Sequence, residues 1–442
     1  MIEDRNRLAV SEAHETALEC VAAGIEAGHP RTIVRDAVSL DGDTLRIADS
    51  TYNLDNYEEI VVLGGGNAAA HVAVALESIL GGRIDRGVVI TDDPVDTERV
   101  TVHEGDHPVP SERAVDGTRE LLAVADAADK DTLVLATITG GGSALLPAPA
   151  GEVSLADLQS TTDGLLASGA DIHEINAVRK HLSAIKGGHL ARTLAPAQVS
   201  ALVLSDVVGD DLDVIASGPL VADPTTYADA LDVIESYALT IPESVREHLN
   251  AGAAGAIEET PGPDDPAFER VGTRLVGTNM TALAAARDEA TERGYETLVL
   301  SSRIRGEASD AALAHVAIAE ELVETGNPVT PPAVVLSGGE TTVTVDGDGR
   351  GGPNQEFALA AALELPSTAV LGAVDTDGVD GNTDAAGALV DGDVVGDTGA
   401  ARRALDDNDA NAYLGERGAL LESGPTGTNV NDLRVLVVGS PE

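Results

Sequence analysis

Ile60-Val-Val-Leu-Gly-Gly-Gly-Asn-Ala-Ala-Ala70 is a short apolar run that ends on three glycines and passes at once into an alanine-rich stretch, and Leu133-Val-Leu-Ala-Thr-Ile-Thr-Gly-Gly-Gly-Ser-Ala-Leu-Leu-Pro147 repeats the arrangement. A strand that is apolar on both faces belongs in a sheet covered on both sides, and an alanine-rich segment directly behind it supplies cover. The same alternation runs through the chain. It predicts strands at 59–63, 87–91, 133–138, 201–205, 297–301, 333–337, 369–374 and 435–438, and helices at 68–79, 114–125, 155–166, 172–186, 280–293 and 308–324. The fold class is therefore α/β, with no internal repeat at the periods of solenoids. With 442 residues, 43 % of them hydrophobic, the chain can bury two cores. Residues 251–268, which are rich in Ala, Gly, Pro and acids and lack periodicity, predict a linker between a domain at 1–250 and one at 269–442.

Asp and Glu number 75 against 27 Lys and Arg, a formal net charge of −48 spread along the whole chain. Such self-repulsion opposes compaction unless salt screens it, and at molar salt the Debye length is about 3 Å. This is the composition of a protein adapted to a high-salt cytoplasm. The same field disfavours nucleic acid, whose phosphates are met by basic surfaces. A single cysteine, Cys20, excludes a disulfide framework, and the N-terminal sequence lacks a signal core. No apolar run reaches the length needed to span a membrane, so a cytoplasmic protein without membrane or nucleic-acid partners is expected, and a homodimer is compatible with that.

Glycine turns after strands let backbone N–H groups face an anion, and a helix start adds partial positive charge. Four such turns occur, at 64–67, 140–143, 338–340 and 423–431, which favours a phosphate-bearing ligand beyond the strand ends. Lysine is confined to Lys130, Lys180 and Lys186, two of them within Asp171-Ile-His-Glu-Ile-Asn-Ala-Val-Arg-Lys-His-Leu-Ser-Ala-Ile-Lys-Gly-Gly188. Asp171 and Glu174 have capping-box spacing and Gly187-Gly188 ends the segment. Helical periodicity to residue 186 would put Ile175, Val178, Leu182 and Ile185 on one stripe, and Asn176, Arg179, Ser183 and Lys186 on a polar arc flanked by Lys180. Lysine is a point charge that can follow a phosphoryl group, whereas arginine is a planar fork.

Two acidic constellations suit a hard cation. Asp206 ends the strand at 201–205, and Asp375, Asp377, Asp380 and Asp384 crowd one loop. That loop is not an EF-hand, because Val379 breaks the ligand spacing. Mg²⁺ takes only one or two carboxylates and keeps its waters, as phosphoryl transfer requires.

His107-Pro-Val-Pro110, Thr139-Gly-Gly-Gly-Ser143, Ile172–Gly188 as quoted, Ser205-Asp-Val-Val-Gly-Asp-Asp211 and Ile215-Ala-Ser-Gly-Pro219 resemble the N-terminal domain of the class II glycerate 2-kinases. Gly351-Gly-Pro-Asn-Gln-Glu-Phe357, Asp377-Gly-Val-Asp-Gly-Asn-Thr-Asp-Ala-Ala-Gly387 and Gly424-Pro-Thr-Gly-Thr-Asn-Val-Asn-Asp-Leu433 resemble their MOFRL domain. The resemblance implies a Rossmann-like N-terminal domain with a mostly parallel sheet, a smaller α/β MOFRL-type domain, and an active site in the cleft between them. It further implies ATP-dependent, Mg²⁺-assisted phosphorylation of D-glycerate at its 2-hydroxyl. On this reading Gly64, Gly65, Gly66, Asn67, Gly141, Gly142 and Ser143 hold nucleotide phosphates. Arg179, Lys180, Lys186 and Asp206 are catalytic, Asn176, Asn354, Asp377 and Asp384 meet substrate, and Asp206 with Asp375 holds the metal. One departure is Asn67, which stands where the family carries lysine. It donates hydrogen bonds but no charge, and one well-aimed electrostatic donor is worth roughly 10²–10³ in rate. Two rivals follow from the same residues: an NAD(P)H-dependent hydroxypyruvate reductase, because Gly64-x-Gly-x-x-Ala69 fits a dinucleotide fingerprint lacking its downstream acid, and a non-catalytic nucleotide- or glycerate-binding relative.

Overall fold

The computed structural model describes residues 2–441. They form two compact units, one from Ile33 to Val276 and the other joining the residues up to Thr32 with those from Gly277 onward.

The first unit begins with an antiparallel meander, β1 Val38–Asp41, β2 Thr44–Ile47 and β3 Ser50–Asn53. It continues into β4 Glu59–Gly65, β5 Arg86–Thr91, β6 Val100–Glu104, β7 Thr132–Ile138, β8 Gln198–Leu204 and β9 Val271–Gly277, which form one sheet in the order β6-β5-β4-β7-β8-β9. Pairings β5–β6, β4–β5, β4–β7 and β7–β8 are parallel. Alternation along β4 explains the layering. Ile60 and Val62 pack with Ala69, Val72, Ala73 and Leu76 of the Ala69–Leu80 helix, whereas Val61 and Leu63 pack on the opposite side with Ala114 and Leu121 of the Glu112–Asp126 helix. Both faces are buried, as the unbroken apolar runs predict. A helical layer made by Leu155–Ser168, Ile172–His181, Tyr227–Ser236 and Glu243–Ala253 has its own apolar cluster, which includes Val178, Leu182, Tyr227 and Leu249.

In the second unit, β10 Glu296–Ile304, β11 Ala333–Gly339, β12 Ala369–Asp375, β13 Gly387–Asp391, β14 Leu420–Leu421 and β15 Asp432–Val438 form a mixed sheet in the order β10-β11-β15-β12-β13-β14. Only β10–β11 is parallel among these pairings. Val334 and Leu336 of β11 face the Glu12–Gly28 and Asn279–Glu292 helices, while Ala333 and Val335 face Ala308–Thr325 and Pro353–Ala362. The register sets Asp375 and Gly339 each opposite Asp432, so β12 and β15 bring two carboxylates together where β11 ends.

Two expectations are corrected. Residues 251–268 are no linker: Asp223 N–H donates to the Pro261 carbonyl at 2.9 Å and Arg192 pairs with Asp265 at 2.6 Å, both inside the first unit. The division instead falls at 32/33 and 276/277, so the 1–250 and 269–442 bounds give way to a discontinuous second unit. The helix expected over 172–186 stops at His181. Ala184 N–H donates to Ala148 O at 2.8 Å and Ala150 N–H to Leu182 O at 3.0 Å, and these strand-like bonds pull the chain out of the helix while Leu182 and Ile185 stay buried.

Candidate active site

Loops at the carboxyl ends of β4 and β7 are laced together. Thr139 N–H donates to Gly65 O at 3.2 Å, Asn67 N–H to Gly140 O at 2.8 Å, and Ala68 N–H to Thr139 Oγ1 at 3.2 Å. Gly141 sits at φ 73, and a Cβ there would fall 1.8 Å from Asn67 Oδ1, so only glycine serves. The resulting turn leaves the N–H groups of Gly140, Gly141 and Ser143 without an acceptor among the described residues. Successive outward N–H groups of this kind form an anion-binding concavity. Gly64, Gly65, Gly66, Gly142 and Asn67 thus build the cradle, and its free donors come from the β7 loop. Asn67 Oδ1 is buried without a donor among the described residues.

Asp206, just past β8, presses its carboxylate onto the bare Cα of Gly140; a Cβ there would lie 1.9 Å from Oδ2. Burial pushes its carboxyl above the usual range, only partly offset by its own backbone N–H and by His107.

The Ile172–His181 helix is capped as its sequence demands: Asp171 accepts from His173 and Glu174 N–H, and Glu174 accepts from Asp171 N–H. Its last turns carry Asn176, Arg179 and Lys180. Arg179 is half-buried and makes no ion pair or hydrogen bond among the described residues; burial alone lowers its pKa. Lys186 arrives on the turn after the helix, not on its face. Ser183 Oγ accepts from Ile185 and Lys186 N–H, both at 3.2 Å, which holds that turn. The Lys186 ammonium is buried, donates to Leu146 O at 3.0 Å and has no carboxylate partner among the described residues; desolvation, then the nearby Arg179 charge, lower its pKa to about 7. Two uncompensated cations thus stand together in a chain of net charge −48.

Lys180 differs from its neighbour. It is fully buried and committed to Asp223 at 3.3 Å and Asp213 at 3.4 Å, and Asp223 also accepts from Thr225 N–H and Oγ1. The lysine expected to be catalytic is a buried ion-pair partner. On its far side the segment continues to His181, which meets Glu259 at 2.8 Å.

Sequence reasoning did not single out Ser217. It lies in Ile215–Ser217, where Ala216, Ser217 and Gly218 have φ of 51, 59 and 62, and it is completely buried. Ser217 Oγ donates to Asn176 Oδ1 at 2.9 Å and meets Ser143 Oγ at 2.8 Å. No composition or periodicity marks a left-handed serine, though the residue falls inside the quoted Ile215–Pro219 motif.

In the second unit, Asp380 accepts from Asn354 and Gln355 N–H, both at 2.9 Å, capping the Pro353–Ala362 helix from outside. Asn354 Nδ2 bridges Asp380 and Asp432 at 3.2 and 2.7 Å, and Asp432 pairs with the buried Arg434. Burial raises the Asp380 carboxyl to about 6. Desolvation, with repulsion from Asp377 and Asp432, also raises Asp375 well above its ordinary range, and desolvation with repulsion from Asp432 raises Asp377. Asp384, expected to meet substrate, is nearly fully exposed and pairs with Arg350 at 3.3 Å. Its loop projects it outward, away from the buried cluster.

Mg²⁺ and nucleotide phosphate can be tested against these groups. The unpaired N–H donors beside Lys186 suit phosphate oxygens. Asp375 and Asp377 are crowded oxygen donors whose repulsion a hard cation relieves. Among the described residues no three or more His, Cys, Asp or Glu side chains converge as a metal cage. A cation here would draw on water for its remaining ligands, as Mg²⁺ does. No described helix is long and apolar enough to cross a membrane.

An α/β chain with an amide cradle and two cations that lack an acidic partner among the described residues is built to hold anionic groups. Residues 16–250 match a domain of unknown function, DUF4147, and residues 333–432 match the MOFRL family. Glycerate 2-kinase of Pyrococcus horikoshii is 40 % identical over 439 residues, covering 97 % of this chain and 98 % of that one. The crystal structure of glycerate kinase from Thermotoga maritima superposes with a TM-score of 0.84 at 38 % identity, covering 96 % and 99 %. A protein of Agrobacterium vitis provisionally named a hydroxypyruvate reductase is 43 % identical over 389 residues, 86 % of this chain and 87 % of its own. The chain belongs to the glycerate kinase family.

Proposed function

We propose that this chain transfers the γ-phosphoryl group of ATP to the 2-hydroxyl of D-glycerate. The observation that carries this reading is the unneutralised pair Arg179 and Lys186 on a segment that Ser217 ties to the loop bearing the free N–H groups of Gly140, Gly141 and Ser143, through Gly187 N–H at 2.9 Å on one side and Ser143 Oγ at 2.8 Å on the other. Phosphoryl transfer asks mainly for positioning and charge stabilisation, and these groups supply both.

The amides bind nonbridging phosphate oxygens. Arg179, a planar fork, receives the glycerate carboxylate. Lys186 donates to the transferring group; an arriving anion offsets the Arg179 repulsion and raises its proton affinity. Asp206, whose carboxyl burial has pushed up, orients the 2-hydroxyl and takes its proton as the new O–P bond forms and the bond from γ-phosphorus to the bridging oxygen breaks. Asp206 stands as a lone carboxylate at Gly140, which suits proton acceptance better than the metal role expected of it. Within the second unit Asp375 with Asp377 would hold Mg²⁺, the cation with which phosphoryl transfer offsets developing charge. Lys180 positions the helix through Asp223, and Asn354 fixes the Asp380–Asp432 network instead of touching substrate. We further read the acidic composition as adaptation to a high-salt cytoplasm.

The test is a phosphorus NMR spectrum of the products from ATP and D-glycerate at molar KCl. A 2-phosphate ester supports the reading. A 3-phosphate ester, or oxidation of NADH with hydroxypyruvate in place of phosphorylation, refutes it.

A further inference from the structure

Ser217 has one proton, and it goes to Asn176 Oδ1 at 2.9 Å. The 2.8 Å contact with Ser143 Oγ must therefore be donated by Ser143, which fixes the direction of the whole relay: Ser143 to Ser217, Ser217 to Asn176. With its oxygen so held, the Asn176 amide can only present its NH₂ group on the other side. That Nδ2 is buried and has no acceptor among the described residues. An orphan buried donor is unfavourable until an acceptor meets it, so the strain is relieved by whatever oxygen arrives there. Three residues further along the same helix, hence on the same face, stands the partnerless Arg179.

We infer that Ser217 is the positioning residue of a carboxylate clamp formed by the Asn176 amide and the Arg179 guanidinium, and that this clamp selects 2-hydroxy acids by their carboxylate. The inference rests on the glycerate kinase reading above and deepens it. Backbone geometry argues that Ser217 is placed there deliberately. Two consecutive non-glycine residues, Ala216 and Ser217, occupy the left-handed region, a conformation unfavourable for each and kept only where surroundings over-determine it. Those surroundings are identifiable: Gly187 N–H donates to Ser217 O at 2.9 Å and Gly188 N–H to Gly218 O at 2.8 Å. One strained segment therefore orients the Asn176 amide through its side chain and anchors the turn carrying Lys186 through its carbonyl.

The experiment is a double-mutant cycle on glycerate binding, Ser217→Ala and Asn176→Ala singly and together, read as KM for glycerate and kcat, with thermal melting for each variant. Ser217→Ala should raise KM for glycerate about tenfold, the loss expected when a donor to an anion is left unoriented, with little change in KM for ATP. In the Asn176→Ala background the same change should have no further effect, because its route to substrate is gone. Equal effects in both backgrounds, or a defect confined to ATP, would overturn the inference. Should Ser217→Ala not fold, Asn176→Asp carries the test: the relay then turns a carboxylate oxygen toward the substrate, so glycerate affinity must fall at least a hundredfold with an unchanged melting temperature, and unchanged affinity refutes the clamp. A wild type that fails to phosphorylate glycerate would refute the kinase reading itself, which separates the two failures.

Discussion

Replacing Lys186 by Met should stabilise the protein while abolishing its chemistry. Burial and Arg179 lower the Lys186 ammonium from its ordinary 10.5 to about 7. At roughly 1.4 kcal/mol per pH unit, that depression corresponds to about 5 kcal/mol of preference for the neutral form in the folded state. The unfolded chain, with its lysine near 10.5, binds the proton more readily, so lysine here opposes folding over the range in which the unfolded state is protonated. The penalty is complete below pH 7, declines as pH rises from 7 to 10.5, and vanishes above that. At pH 7 it is of the order of 4 kcal/mol, and at pH 10 about 1. Methionine matches the stem and removes the charge, at the expense of one hydrogen bond to Leu146 O, about 1 kcal/mol. Urea unfolding of the wild type and Lys186→Met, in buffers from pH 6.5 to 10 at constant high KCl, should show the variant more stable by roughly 3 kcal/mol at neutral pH, with the gap closing or reversing by pH 10. A variant less stable than the wild type at pH 7, or a gap independent of pH, would show that Lys186 is compensated and would remove the reason for assigning it to an incoming anion.

Other outcomes follow from the same geometry. Lys180→Met strands Asp223 and should destabilise by about 3–5 kcal/mol in urea titrations, the opposite sign to Lys186→Met. Arg179→Gln should raise KM for glycerate by about 10²-fold with only a small change in melting temperature, and by removing a like charge should shift the pH at which Lys186 titrates upward. Lowering KCl from molar to about 0.1 M lengthens the Debye length from roughly 3 to 10 Å, so at −48 net charge the melting temperature should fall steeply; a flat response would exclude the high-salt interpretation.

How much of this the sequence discloses differs from element to element. β4 and β7 are legible because unbroken apolar runs have no other home than a doubly covered sheet, and the glycines after them mark the cradle. The β1–β3 meander is not, since strands of four residues with mixed exposure lack a readable period. Periodicity carries the 172–181 helix on to 186 because Leu182 and Ile185 continue its apolar stripe; strand-like bonding to Ala148 and Ala150, distant in sequence, overrides that local preference. Lys180 and Lys186 look alike in sequence. Only burial beside Asp223 in one case, and beside Arg179 without any acid in the other, separates scaffold from chemistry. Asp384 looked like its neighbours for the same reason, and its exposure tells them apart. The discontinuous second unit was invisible because the amphipathic Glu12–Gly28 segment carries no mark of which sheet it will cover.

That discontinuity has a biosynthetic corollary. During translation the Glu12–Gly28 helix emerges more than 300 residues ahead of Val334, Leu336, Leu433 and Val435, which share its apolar cluster with Leu18 and Val21. The intervening segment to Val276 has a complete sheet and can fold on the ribosome in the meantime. An amphipathic helix must therefore wait for several hundred residues of synthesis, and its packing against β15 closes only once residues 432–438 have been made. For this chain, truncation at either end is equivalent: each removes one half of the same late-forming core.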